Sequence, residues 1–232
     1  MTIDLISFDL DGTLIDTAQE IAEAANRALQ AHGLGRRPAD EVTQMIGRGG
    51  RALMGQLHEQ AIAHDPALAD RLSIDTLFAS FDAHYAQTTG TASAPYPGTL
   101  EALELLRDQG VRRVCVTNKD LRHAVKALNA HGMSEHFECL IGGDSLAHKK
   151  PHRSVLRHVA DQLGIAVERI AHIGDSATDV NAAINAGATA WAVPYGYNGG
   201  EPIEAAGPHR IFNSLLEMAE HVVALRANAA VN

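Results

Sequence analysis

The chain has 232 residues, 46% of them apolar, and sets 19 basic side chains against 28 acidic ones for a net charge of −9. That is enough chain to bury a sizeable core, as one large domain or a core with a smaller attachment. The acidic balance argues against a general nucleic-acid or membrane-surface binder, so an anionic small molecule has to be met by local cations or a metal.

A short apolar run, Ile3, Leu5, Ile6 and Phe8, reads as a buried strand, and Asp9-Leu10-Asp11-Gly12-Thr13 follows at its C-terminal end. Two carboxylates, a glycine and a hydroxyl suit either a tight turn or a loop that approaches a small anion. Asp16 or Thr17 caps a helix reaching His32, with Glu20 expected to complete a capping box with Thr17 and Gly33 beyond the end. From there to about Thr89 the sequence offers only helices: one opened by Pro38, one from Arg51 to about His64, and one from Ala67 to about Thr88 with a break near Ser73. The glycine-rich joint Ile46-Gly47-Arg48-Gly49-Gly50 separates the first two.

Pro95-Tyr96-Pro97-Gly98 marks a change of pattern, after which strands and helices alternate. The spacing predicts a helix over Thr99 to Gln109, a strand over Arg112 to Val116 and a helix over Leu121 to His131. A strand around Cys139 to Ile141 and a helix over Arg153 to Leu163 follow. Strand Ile170 to Ile173, helix Thr178 to Ala186, strand Thr189 to Val193 and a last helix over Ser214 to Leu225 complete the series, with Arg226 to Asn232 expected to fray. Such alternation means an α/β fold with a doubly wound parallel sheet. The first strand needs neighbours on both sides and therefore joins that sheet. The expected organisation is a discontinuous α/β core of residues 1–16 and 90–232, with a helical cap, residues 17–89, inserted directly after the acidic loop.

Met1-Thr2-Ile3-Asp4 lacks the features of a signal peptide and no apolar run is long enough to span a membrane, so a cytoplasmic address is expected. Cys115 and Cys139 read as core thiols in a reducing compartment. The histidines on expected helices, such as His32, His58, His84, His123 and His158, lack paired ligand spacing and read as solvated or packed. Trp191 reads as core, His148 and His152 as flanking the site entrance, and Asp144 as orienting Lys150 or capping a turn.

Four strand ends are expected to converge on one edge, bringing Asp9 and Asp11, Thr117 with Asn118, Lys150, and Asp175 with Asp179. Several carboxylates in one crevice repel, and a hard divalent cation such as Mg²⁺ relieves that. A carboxylate can then attack phosphorus, and a second acid two residues on can protonate the leaving oxygen and later activate water. The Thr117 hydroxyl and the amides around Asn118 suit phosphate oxygens, and the Lys150 ammonium offsets charge in the transition state. Phosphoryl transfer is the expected chemistry.

Asp9-x-Asp11-Gly12-Thr13, Thr117 after a strand, Lys150-Pro151, and Gly174-Asp175-Ser176-x-x-Asp179 together resemble the four ordered motifs of haloacid dehalogenase superfamily phosphatases. That resemblance implies Asp9 as nucleophile and Mg²⁺ ligand, Asp11 as acid/base and a ligand through its backbone carbonyl, Asp175 as a further ligand, and Asp179 as a supporting group behind them. Ile46-Gly47-Arg48-Gly49, Thr117-Asn118-Lys119, Gly142-Gly143-Asp144, Lys149-Lys150-Pro151-His152 and Tyr195-Gly196-Tyr197-Asn198 narrow it to bacterial phosphoglycolate phosphatases. The departure is Arg153, where that family usually has a second proline after His152.

The expected activity is Mg²⁺-dependent hydrolysis of a small phosphorylated acid, 2-phosphoglycolate to glycolate and phosphate, through an aspartyl-phosphate. Gly47 and Arg48 of the glycine loop are the expected specificity residues, Arg48 meeting the substrate carboxylate. Sugar phosphates or pyrophosphate are the alternative substrates, and a catalytically silent binding or regulatory module the alternative of another class. Gly174 stands where a β-phosphoglucomutase-like mutase is expected to carry an acid, and a dehalogenase would lack the acid at Asp11. The expected partner is the phosphate ester alone, with no nucleic acid and no membrane, in a monomer or homodimer.

Overall fold

In the computed structural model, which describes residues 3–231, the first strand does gain neighbours on both sides. In chain order the elements begin with β1 (Leu5–Phe8), β2 (Ile15–Asp16), α1 (Ala18–Ala31), α2 (Ala39–Thr43), α3 (Gly50–His64) and α4 (Ile74–Thr88). Then come β3 (Ala94–Pro95), α5 (Thr99–Asp108), β4 (Arg112–Val116), α6 (Leu121–Ala130), β5 (Leu140–Ile141) and α7 (Ser154–Leu163). The chain ends with β6 (Ile170–Gly174), α8 (Ala177–Ala186), β7 (Thr189–Ala192), β8 (Arg210–Ile211) and α9 (Leu215–Val231).

Six strands form one parallel sheet in the order β5-β4-β1-β6-β7-β8. Leu5 lies opposite both Arg112 and Ile170, and Phe8 opposite Cys115 and Ile173. The chain thus winds outward from β1 in both directions, and the crevice at its C-terminal end is the point where strand order reverses. Asp9 is the first residue past that end.

Period-two alternation sends the strand side chains into two separate apolar layers. Ile6, Phe8, Cys115, Ile173 and Trp191 pack with α5, α6 and α9; Leu5, Val114, Val116, Ile170 and Ala190 pack with α7 and α8. Cys139 is a free thiol at the margin of the second layer. The two-residue strands β2, β3 and β8 are absent from the sequence expectations, being too short to show any periodicity. Helix α9 runs through Val231, where fraying was expected from Arg226, and Met1, Thr2 and Asn232 lie outside the described residues.

Helices α1 to α4 bury an apolar cluster of their own, in which Ala24, Ala25 and Ala28 of α1 let α4 approach with Leu77, Phe81 and Tyr85. The break near Ser73 is present: its hydroxyl accepts the Thr76 N–H (3.2 Å) and starts α4. Both chain crossings between this helical block and the sheet run side by side, as β2 pairs antiparallel with β3 through Ile15–Pro95 and Asp16–Ala94.

The expected capping box at α1 does not form. The Thr17 hydroxyl donates to Asp11 Oδ1 (2.7 Å), and buried Glu20 accepts the Gly90 N–H (2.8 Å). A distant residue satisfies the helix start instead: the Tyr197 hydroxyl accepts the N–H groups of Thr17 (2.9 Å) and Ala18 (3.0 Å) and donates to Asp16. Asp144 likewise caps at a distance, its Oδ1 accepting the Leu121 N–H (2.7 Å) at the start of α6, and so settles as a cap rather than a partner of Lys150.

Candidate active site

The loop after β1 folds tightly because Gly12 takes a left-handed φ of +82°, and a Cβ there would stand 2.3 Å from Asp175 Oδ2. That approach brings Thr13 to Asp175, whose Oδ1 accepts the Thr13 hydroxyl (2.9 Å) while Oδ2 accepts the Tyr197 N–H (2.5 Å). At the end of β6, a Cβ on Gly174 would lie 2.2 Å from the Asp179 carboxyl carbon, so no acid fits the position before Asp175.

Asp9, Asp175 and Asp179 are all buried, and one oxygen from each lies within 4.8 Å of the others. Their surroundings differ. Asp179 is saturated: Oδ1 takes Lys150 Nζ (2.7 Å) and His172 Nε2 (3.3 Å), and Oδ2 takes the Ser176 N–H (3.1 Å) and hydroxyl (2.6 Å) in a capping box at α8. Burial pushes its carboxyl up, yet Lys150 and His172 together hold it well below the usual range. Burial holds His172 itself below its usual range, and its ring bridges Asp179 through Nε2 and the Ser7 hydroxyl through Nδ1 (2.9 Å).

Asp9 has the opposite balance. Burial first, then Asp179, raise its carboxyl to about 6 against the pull of Lys150. Lys150 Nζ forms an ion pair with Asp9 Oδ1 at 2.8 Å, and no other donor reaches that oxygen. Asp175 is likewise held well above the usual carboxylate range by burial and by Asp179 and Asp9. An all-oxygen donor set and two buried carboxyls that resist ionisation fit a hard divalent cation.

Asp11 is not part of that trio. Its Oδ1 accepts the Lys119 ammonium and the Thr17 hydroxyl. Asp9, Asp11, Thr117, Asn118 and Gly47 line one cavity of about 40 Å³ between the sheet edge and the helical block. Lys150 lies beneath it, touching Asp9, and Asp175 and Asp179 lie alongside.

Arg48 is not brought to this cavity. The glycine loop turns its carbonyls inward, the Gly47 carbonyl accepting Asn118 Nδ2 (3.1 Å) and the Arg48 carbonyl accepting Lys149 Nζ (2.6 Å). The Arg48 side chain is left exposed, on a separate cleft of about 580 Å³ beside Ser176 and Asn198. His148 and His152 are also exposed and stack on each other, 4.0 Å between ring centres.

Sequence reasoning missed the residues that complete the cavity wall. Lys119, with a side chain 3% exposed, places its ammonium 4.9 Å from the Tyr85 ring centre as well as on Asp11. From α4, Asp82 pairs with His123 Nε2 (2.8 Å) and with Arg122 on α6, tying the helical block to the sheet side. Ile21, Leu53, Phe78 and Phe81 supply the apolar remainder. The signal for Lys119 was its place two residues after Thr117 at a strand end; nothing in the local sequence marks Tyr85.

Comparison with known proteins agrees with this geometry. The haloacid dehalogenase-like hydrolase family model matches residues 3–187. A phosphoglycolate phosphatase of Vibrio parahaemolyticus is 36% identical over 225 residues, covering 97% of this chain and 98% of its own. A plasmid phosphoglycolate phosphatase of Cupriavidus necator is 40% identical over 210 residues, covering 90% and 89%. The crystal structure of a predicted phosphoglycolate phosphatase from Haemophilus somnus superposes with a TM-score of 0.89 at 30% identity, covering 95% of this chain and 98% of that one.

Proposed function

We propose, from the premise that this chain belongs to the haloacid dehalogenase-like hydrolases, that it hydrolyses 2-phosphoglycolate to glycolate and phosphate. It is a phosphoric monoester hydrolase of that family. The observation that carries the choice of ester is the cavity: about 40 Å³, walled by apolar rings and containing both Asp9 and Asp11. Pockets for larger organic ligands run to several hundred Å³. The relatives' names point the same way.

Asp9 is the nucleophile in this reading. Its carboxylate oxygen bonds to phosphorus as the ester P–O bond breaks, and Asp11 gives the leaving oxygen its proton. Asp11 then takes a proton from water, whose oxygen attacks phosphorus and releases Asp9 and inorganic phosphate. The Thr117 hydroxyl, the amides at Asn118 and the Lys150 ammonium hold the phosphoryl oxygens. Asp179, saturated by its four donors, fixes Lys150 rather than binding an ion. Asp9, the Asp11 carbonyl and Asp175 would hold Mg²⁺, which supplies charge neutralisation at the phosphoryl group. The helical block serves as the cap that excludes bulk water from the covalent intermediate.

The test is kcat/KM for phosphate release from 2-phosphoglycolate, sugar phosphates and pyrophosphate with Mg²⁺. A clear preference for 2-phosphoglycolate is expected. A different best ester moves the specificity while leaving the mechanism, and no release from any ester makes the chain a silent module.

A further inference from the structure

An ammonium is costly to bury, and Lys119 is buried in the wall of a cavity built for an anion. It carries three N–H donors, of which Asp11 Oδ1 takes one and the Tyr85 ring face attracts another. Beside it the Tyr85 hydroxyl is buried and makes no hydrogen bond. Burial, with Asp11 and Glu20, holds that hydroxyl well above its usual range against a smaller opposing effect of the Thr89 side chain, so it is a donor. Two donor groups in one wall thus have capacity that the protein does not use.

The phosphoryl end of a substrate does not need them, because Lys150 already lies against Asp9. What they can meet is the other end. The oxygen that leaves must reach Asp11, and Lys119 stands one hydrogen bond beyond Asp11. A carboxylate joined to that oxygen through a single methylene falls within reach of the ammonium, whereas a longer chain runs into Leu53, Phe78 and Phe81. We infer that Lys119, assisted by the Tyr85 hydroxyl, binds the carboxylate of the substrate and selects short phosphorylated acids over uncharged esters. This takes over the role that the sequence suggested for Arg48, and it rests on the reading of the cavity as a phosphatase site for a small acid.

The experiment compares kcat/KM for 2-phosphoglycolate with that for 2-hydroxyethyl phosphate, which keeps the phosphate and two carbons but replaces the carboxylate by a hydroxymethyl group. Wild type is expected to prefer the carboxylate ester. Lys119→Met should lower that preference by about 30-fold or more, the loss falling on KM for 2-phosphoglycolate, as removal of a buried charge partner does. Lys119→Arg should keep most of the preference, and Tyr85→Phe should lower it by about threefold. If Lys119→Met fails to fold by thermal melting, the ratio in Lys119→Gln decides. Equal losses on both esters mean that Lys119 acts only through Asp11 and overturn the inference alone, as does a preference that survives the substitution. A wild type that hydrolyses the uncharged ester without preferring the acid overturns the substrate reading together with the inference, and no release from either ester overturns the phosphatase reading and both with it.

Discussion

On the floor of the cavity the carboxylates are held by donors from the sheet edge: Asp175 by Thr13 and Tyr197, Asp179 by Lys150, His172 and Ser176. The roof, formed by α1, α3, α4 and the glycine loop, offers Ile21, Leu53, Phe78 and Phe81, surfaces that exclude and confine rather than react. The floor fixes charges at strand ends, where backbone pairing leaves little freedom, and in the proposed reading it sets the reaction. The roof sets a volume, and volumes in apolar pockets discriminate by modest factors. Damage to the floor should therefore cost turnover, and damage to the roof should change which ester is turned over.

The sharpest break would come at Asp9. Asp9→Asn should lower phosphate release by about 10³-fold or more, while the melting temperature of the metal-free protein holds or rises, because the carboxylate it replaces resists ionisation. Turnover within tenfold of wild type would remove Asp9 as nucleophile. Lys150→Met should damage both activity and stability: it leaves Asp9 and Asp179 buried without their counter-charge, a change worth about 3 kcal/mol, read by chemical denaturation, with turnover down about 10²-fold.

The roof should answer more weakly. Phe81→Leu should raise kcat/KM for a sugar phosphate relative to 2-phosphoglycolate by about fivefold, within the range of a few methylenes in a pocket. An unchanged ratio would mean that Phe81 does not limit substrate size. Smaller in energy is the link between protons and the ion. In the metal-free fold Asp9 titrates near 6 and Asp175 well above the usual range, so folding takes up protons as pH falls toward 6 and these groups withdraw stability as pH rises through it. Mg²⁺ competes with those protons, and the rise in melting temperature it gives should be larger at pH 7.5 than at pH 5. An equal rise at both would place the ion elsewhere. Least of all, Arg48→Ala should change kcat/KM and stability by less than about twofold, as for an exposed side chain.

The floor was legible in the sequence because its residues stand at fixed offsets from strands whose apolar runs announce themselves. Asp9, Thr117 and Asp175 each follow a run of β-branched or other apolar residues, and the alternation from Arg112 onward predicted the parallel sheet. Arg48 was read as a substrate contact because a charged residue in a glycine loop looks like a ligand hand, whereas the structure leaves it outside the cavity. Which way its side chain turns depends on the carbonyls on either side, and those are claimed by Asn118 and Lys149, some seventy and a hundred residues away. Thr17 and Glu20 matched a capping box locally, but Asp11 and Gly90 outbid the helix for them. Tyr85 carried no local signal at all, and the segment around Tyr197 gave a resemblance but not its bonds to Asp175 and to the start of α1, which exist only once distant parts of the chain meet.

The place of β1 at the centre of the sheet has a consequence for how the molecule comes into being. Its four buried residues are made more than a hundred residues before the strands that flank them, which begin at Arg112 and Ile170. Throughout that interval the helical block can assemble from local contacts, while Leu5, Ile6 and Phe8 wait without partners. Long-range parallel pairing is slow to form and exposes apolar chain meanwhile. Pairing of β1 therefore has to wait for both β4 and β6, and only the docking of β6 brings Asp175 to Asp9.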